Sequence, residues 1–274
     1  MIEKNIQAWS LKNTVNFYVQ ERTRAADLYK SEAALLLPVI PHVRSVLDVG
    51  CAVGNFSRII HELNPKIAYT GVDTAEGMLA EARQRHPDAE FRLVSGSTLP
   101  FADNSFDLAM CMGVLHHNPD YLDMIAEMVR VSRRFVVVDL PRLVTQPYAY
   151  DLSKSYMILQ HRFPEASEGI APESTRVPYV LGNVKDVFEA LLRRLSGSLA
   201  GLAGYGYHGN PHSSVTIPYW PVIFTVALLA KGQGPVRYYF DLPGDALPMA
   251  EAALALGKGR KVSSIEAVAF GDGA

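Results

Sequence analysis

The chain predicts an α/β fold, a mainly parallel sheet with helices on both faces, and three observations carry that prediction. From residue 45, short apolar runs alternate with segments whose apolar residues recur at helical spacing. Turn residues punctuate the alternation: Gly50 and Gly54 after the first run, Pro87 after the second helical segment, and Asn104-Ser105 ahead of the fourth strand. The length of 274 residues suffices for one large unit with additions.

Taken in order, roughly residues 3–37 read as two helices, with Trp9, Val15, Tyr18, Val19 and then Ala34, Leu35 and Leu36 at helical spacing. They form an expected helical lid over residues 1–40. Strand, helix and strand then repeat through SVLDVG, NFSRIIHEL, IAYTGVD, GMLAEARQRH, FRLVSG, FDLAMCMG, YLDMIAEMVRV and RFVVVDL. Such a series places parallel strands side by side with helices crossing over them.

Farther along, Pro147 to Gln160 and Val184 to Leu195 read as helices. SLAGLAGYGYH and VIFTVALLA read as two late strands that close the sheet as a hairpin, joined by GNPHSSVTIPYWP. The tail offers a strand (VRYYFDL), an Ala-rich helix (PMAEAALAL) and a further strand (VSSIEAVAF). The expected division is therefore residues 1–40, a main domain over 41–231 with a substrate-loop insertion at about 141–196, and an extension over 232–274.

Lys and Arg total 26 against 28 Asp and Glu, for a net charge of −2 without long runs of either sign. Nothing in that balance calls for a nucleic-acid partner. The longest apolar run, Ile217 to Ala230, contains Pro218 and Pro221 and falls short of a membrane span of about 20 residues. Two cysteines, Cys51 and Cys111, make neither a disulfide framework nor a metal-ligand spacing. A reduced, cytoplasmic setting is the expectation, with no metal.

VLDVGCAVGNF, residues 46–56, sets an apolar strand, an acid and a small-residue turn directly before a helix. Small residues let the backbone approach a ligand, and the helix amino terminus presents N–H groups to it. A tight glycine turn also serves purely steric ends in many α/β proteins. YTGVD adds a second signal: Asp73 ends its strand about 20 residues past the turn, where a carboxylate can accept from both hydroxyls of an adenosine ribose. The bland alternative is a helix cap.

In DVGCAVG, GVDTAEGML, LPFADNSFDLAMCMGVLHHNPD and EMVRVSRRFVVVD, in that order, residues 45–140 resemble the class I S-adenosylmethionine (SAM)-dependent methyltransferases, in the branch acting on small molecules. The likeness implies a Rossmann-like sheet and SAM as cofactor. It implies that Asp48, Gly50, Ala52 and Gly54 line the methionine moiety, that Asp73 holds the ribose, and that Thr74 and Met78 flank ribose and adenine. Tyr18 would close over the cofactor, and Met112 ends the fourth strand beside it.

Three departures stand out. Ala52 replaces the usual middle glycine, which is tolerable if it keeps a negative φ. VSGSTLPF lacks the acid that relatives often place before LPF, so Ser95 or Ser97, flanking Gly96, would meet the adenine amino group. Ser132-Arg133-Arg134 replaces the customary Lys-Pro-Gly-Gly turn, which alters a connection and not the site. The rival dinucleotide-dehydrogenase reading needs Gly at positions 52 and 55, where Ala and Asn stand.

Methyl transfer is an in-line displacement that needs a held nucleophile and, for a hydroxyl, a proton acceptor. His116 and His117 follow the fourth strand and are the candidate bases. Capping or packing under the lid is their ordinary alternative. Asp139, Tyr207, His208, His212 and Trp220, with Tyr205 and Tyr219 nearby, are the substrate candidates, although a loop or dimer contact would suit the same composition. The expectation is methylation of a small molecule, O-methylation first, by a protein that forms a homodimer if that late loop pairs; a SAM-binding protein without transfer is the alternative.

Overall fold

The computed structural model describes residue 9 and residues 12–96, 98–162 and 175–271. The first half follows the alternation in the sequence: β1 (Ser45–Val49), β2 (Ala68–Asp73), β3 (Glu90–Leu93), β4 (Phe106–Cys111) and β5 (Ser132–Asp139) are all parallel, in the spatial order β3-β2-β1-β4-β5. Helices Asn55–Leu63, Glu76–Arg85 and Tyr121–Val131 make the crossovers.

Strand alternation sorts the core into two layers. Leu47, Ala109, Val136 and Val138 pack with Ile125 and Met128 of one crossover helix and Phe188 of helix Val184–Arg194. On the opposite face Val46, Leu108, Met110 and Val137 meet Ile59, Ile60, Leu79 and the early helix residues Leu35 and Leu36. Both faces are dry, as a parallel sheet requires.

Beyond β5, the chain forms β6 (Arg142–Val144), β7 (Tyr156–Ile158), β8 (Arg176–Pro178) and β9 (Leu181–Asn183) before β10 (Leu199–Gly209), β11 (Val215–Thr216) and β12 (Val222–Lys231). β10 and β12 are antiparallel from Leu199 opposite Lys231 to Gly209 opposite Val222, the expected late hairpin. The later strand, β12, lies inside, between β10 and β5. β13 (Arg237–Asp241) and β14 (Arg260–Lys261) extend the far edge. β7, β8 and β11 form a separate three-stranded antiparallel sheet.

Two expectations fail. Residues 147–160 are not one helix: Asp151 folds a turn, taking Ser153 N and Oγ on Oδ1 while its carbonyl takes Lys154 N and Ser155 N. Tyr156–Ile158 then pairs in the small sheet, and helix is confined to Leu159–Arg162. VSSIEAVAF is not a strand either, because Ser264 Oγ accepts from Ala267 N and caps helix Ile265–Phe270.

The missing Lys-Pro-Gly-Gly turn has a physical substitute. Helix Tyr121–Val131 runs straight into β5, and Lys231 Nζ donates to Val129 O and Ser132 O at 2.9 Å and to Asn104 Oδ1 at 2.7 Å. A cation from the last residue of β12 thus satisfies carbonyls that a helix end leaves open.

Candidate cofactor and acceptor site

The turn after β1 is shaped by backbone. Gly50 and Gly54 hold φ of 76° and 77°, and a Cβ on Gly50 would lie 2.4 Å from Val114 Cγ2, one on Gly54 2.7 Å from the Phe91 ring. Gly50 N and Cys51 N both donate to Val72 O, which pins the turn against β2. Ala52 departs from its expectation: its φ is +48°, not negative. The left-handed conformation is held because Ala52 N donates to Asp73 Oδ2 at 2.9 Å.

Asp73 is thereby tied into the turn. Its Oδ1 accepts from Ala75 N at 2.9 Å, and Thr74 N also supports it. Burial raises its pKa, and these backbone donors oppose the shift. A carboxylate has about four lone-pair sites, so these three bonds leave about one for a ribose hydroxyl. Asp48, 1% exposed, takes the Tyr69 hydroxyl at 2.5 Å, and burial lifts its pKa to about 7.

The amino-terminal segment closes one side. Trp9, Val15, Tyr18 and Val19 pack with Ala52, Val53, Ala75 and Met78. Asn55 Nδ2, at the start of the first crossover helix, donates to Tyr18 O and Glu21 O at 2.6 and 2.7 Å. Burial pushes the Tyr18 hydroxyl up to about 12. Thr74 is half-buried, and Met112 packs into the core face with Val46 and Met110. Ser95 and Gly96 are exposed, Gly96 with φ of 69°; Ser97 lies outside the described residues.

The two histidines turn out to be different groups. They lie in a single turn, Leu115–His117, beside the glycine turn, since Gly50 abuts Val114. His116 is buried, and Arg142 Nη2 approaches its Nδ1 at 3.2 Å. Burial first, then Arg142 and His117, drives its pKa well below the ordinary value. Because guanidinium only donates, that ring nitrogen must carry a lone pair.

His117 Nδ1 is 2.7 Å from Pro178 O. A carbonyl only accepts, so Nδ1 carries the proton and Nε2 keeps its lone pair. Burial lowers the His117 pKa to about 4. Its ring sits among Trp9, His116 and Tyr179, with centroids at 5.1, 4.0 and 5.8 Å.

Asp139 is engaged by Arg142 Nη1 at 2.9 Å, and Arg142 Nε donates to Tyr179 Oη at 3.1 Å. The four remaining substrate candidates scatter. Tyr207 stacks on Phe224, whose ring also carries the Arg142 guanidinium. His208 pairs with Asp245 in a shallow cleft shared with exposed Trp220. His212 bonds Ser214 in the turn before β11.

Sequence reasoning missed Arg142 and Tyr179. Arg142 stood three residues past Asp139, where an ion pair was readable; Tyr179 carries no local signal. Among the described residues no group of three or more His, Cys, Asp or Glu gathers to hold a metal, and no helix is long and apolar enough to cross a membrane.

Sheet order, glycine turn and strand-end acid together define a class I SAM-dependent methyltransferase fold. Residues 46–135, a third of the chain, match the family described as methyltransferase domain. The chain is 34% identical over 108 residues to trans-aconitate 2-methyltransferase of Variovorax paradoxus, covering 39% of this chain and 40% of that protein. It is also 34% identical over 96 residues to tRNA U34 carboxymethyltransferase of Nautilia profundicola, covering 32% of each. The chain thus spans two fifths or less of these curated relatives' lengths. A SAM-dependent methyltransferase from Thermotoga maritima aligns over 82% of this chain and 99% of its own, at 18% identity and a TM-score of 0.50, which shows the fold.

Proposed function

We propose that this protein transfers a methyl group from SAM to the hydroxyl of a small, flat acceptor. The observation that supports it most is the fixed tautomer of His117, whose Nδ1 is committed to Pro178 O. A neutral imidazole with one free lone pair is the group an O-methylation asks for. In this reading Gly50, Ala52 and Gly54 bring backbone close to the cofactor, Asp73 accepts from its ribose, Thr74 and Met78 border the adenosine, and Tyr18 closes the amino-terminal side. SAM supplies a methyl carbon on a sulfonium, to which the acceptor oxygen bonds as the carbon–sulfur bond breaks.

His117 receives the hydroxyl proton on Nε2. A base near pH 4 takes a proton readily only from an acidic hydroxyl or from an oxygen already bonding to carbon, so an enol or phenol suits this site better than an alkyl alcohol. Trp9 and Tyr179 pack around the His117 ring, and an aromatic surrounding of that kind suits a planar group. The relative named for trans-aconitate accords with a small acceptor, and the one named for tRNA makes tRNA the necessary control.

Calorimetry with S-adenosylhomocysteine and mass spectrometry of candidate acceptors with labelled SAM test the reading. Wild-type protein is expected to bind the product, and Asp73→Ala to weaken it by about 10- to 100-fold as charge-assisted bonds are lost. His117→Gln should slow single-turnover transfer by about 10²–10⁴-fold with cofactor affinity unchanged. A wild-type rate in that variant would remove His117 as the proton acceptor.

A further inference from the structure

Three residues left without a task in methyl transfer meet at one place. His208 lies near the end of β10, Trp220 just before β12 and Asp245 beyond β13. With Thr145, Gln146 and Ile223 they line a cleft of about 150 Å³. None of these residues belongs to the glycine turn or to the group around His117.

The cleft is built to accept hydrogen bonds. His208 Nε2 lies 3.0 Å from Asp245 Oδ1, and because a carboxylate only accepts, that nitrogen carries the proton. No hydrogen bond among the described residues reaches the second oxygen, Oδ2. Asn183 Nδ2 donates to the carbonyls of Thr145 and Gln146, both at 3.1 Å, which fixes the rim. The Thr145 hydroxyl and the Gln146 amide oxygen stay uncommitted among the described residues. Trp220 beside them is 49% exposed, and a large ring left in water at the mouth of a cleft marks a place of contact.

Charge and shape narrow the occupant. With His208 neutral, the lining residues hold one carboxylate and neither lysine nor arginine, so the cleft repels anions and draws cations. An indole face attracts a cation within about 6 Å of its centre, guanidinium most often. Guanidinium is flat, carries five N–H donors and has no acceptor, which matches a ring beside a row of acceptors. The volume lies below the roughly 300–1,000 Å³ of drug-sized pockets and admits a head group alone. We infer that this cleft binds a guanidinium head group, at a site separate from methyl transfer.

Titration at pH 8 with methylguanidinium against methylurea, a neutral molecule of the same shape and a control for mild denaturation, tests the assignment. Methylguanidinium should bind with a Kd of roughly 1–10 mM and change tryptophan fluorescence, and methylurea should bind at least about tenfold more weakly. By calorimetry, Asp245→Asn and Trp220→Ala should each weaken methylguanidinium by about tenfold or more and Trp220→Phe by less, with S-adenosylhomocysteine affinity unchanged in all three. A blocked tripeptide with a central arginine separates the sources. Binding about tenfold tighter than methylguanidinium assigns the head group to a protein segment, and comparable or weaker binding to a free small cation. Equal binding of methylurea, a fluorescence response that survives Trp220→Ala, or no saturable binding of methylguanidinium overturns the inference.

Discussion

The cofactor side and the acceptor side of this site are made of different material. Around β1 and β2 the shape comes from backbone: positive-φ glycines, three N–H groups from residues 50–52 turned toward Val72 and Asp73, and little side-chain bulk. Around His117 it comes from side chains that hold one another, Asp139 to Arg142, Arg142 to Tyr179 and His116. A backbone site is damaged by adding a Cβ, whereas a side-chain site is damaged by removing a charge or a donor.

The largest expected effect tests the second half of that contrast. Arg142→Met leaves Asp139, whose side chain is 14% exposed, without its cation and should cost about 3–5 kcal/mol. Hydrogen exchange should quicken first in β6, β8 and β9, with β1 and β2 still protected. Uniform loss of protection would mean the two regions are a single unit.

Gly50→Ala tests the first half: a positive φ together with a Cβ 2.4 Å from Val114 predicts about 2–4 kcal/mol of destabilisation in urea unfolding. A cost below about 1 kcal/mol would show that Val114 yields.

Asp48 sharpens the comparison through pH. Its folded pKa of about 7 exceeds the unfolded value of about 3.9, so the folded state holds the extra proton and stability falls as pH rises from about 4 through 7. Asp48→Asn keeps an acceptor for Tyr69 and should flatten that slope, gaining about 2 kcal/mol at pH 8. An unaltered slope would assign the pH dependence to other groups.

The smallest expected change is Ala52→Gly. Relief of the φ of +48° is partly offset by backbone entropy, leaving a net stabilisation of about 1 kcal/mol or less. A measurable loss would mean that the Ala52 methyl contributes to packing with Trp9 and Tyr18.

These two materials also account for what the sequence disclosed. Backbone demands leave local marks, so Gly50, Gly54 and Asp73 were legible along with β1 to β5 and their helices. Ala52 broke the pattern through a bond to Asp73, 21 positions away, which no local rule anticipates. The side-chain network left no comparable mark: Arg142 and Tyr179 meet only because β6 and β9 pair, and the helix expected over 147–160 concealed β7. VSSIEAVAF misled for a smaller reason, since its β-branched start outweighed the cap at Ser264.

The interior position of β12 governs the order in which the molecule can be completed. During synthesis β10 emerges first but has no neighbour in the main sheet except β12 and β13, so it must wait. Until residue 231 is made, Phe135 to Asp139 of β5 present an open edge of Val-rich strand to solvent. A nascent chain halted between residues 209 and 222 should therefore associate with its own kind, and the span of about ten residues that makes up β12 is both its last sheet partner on that side and its protection against aggregation.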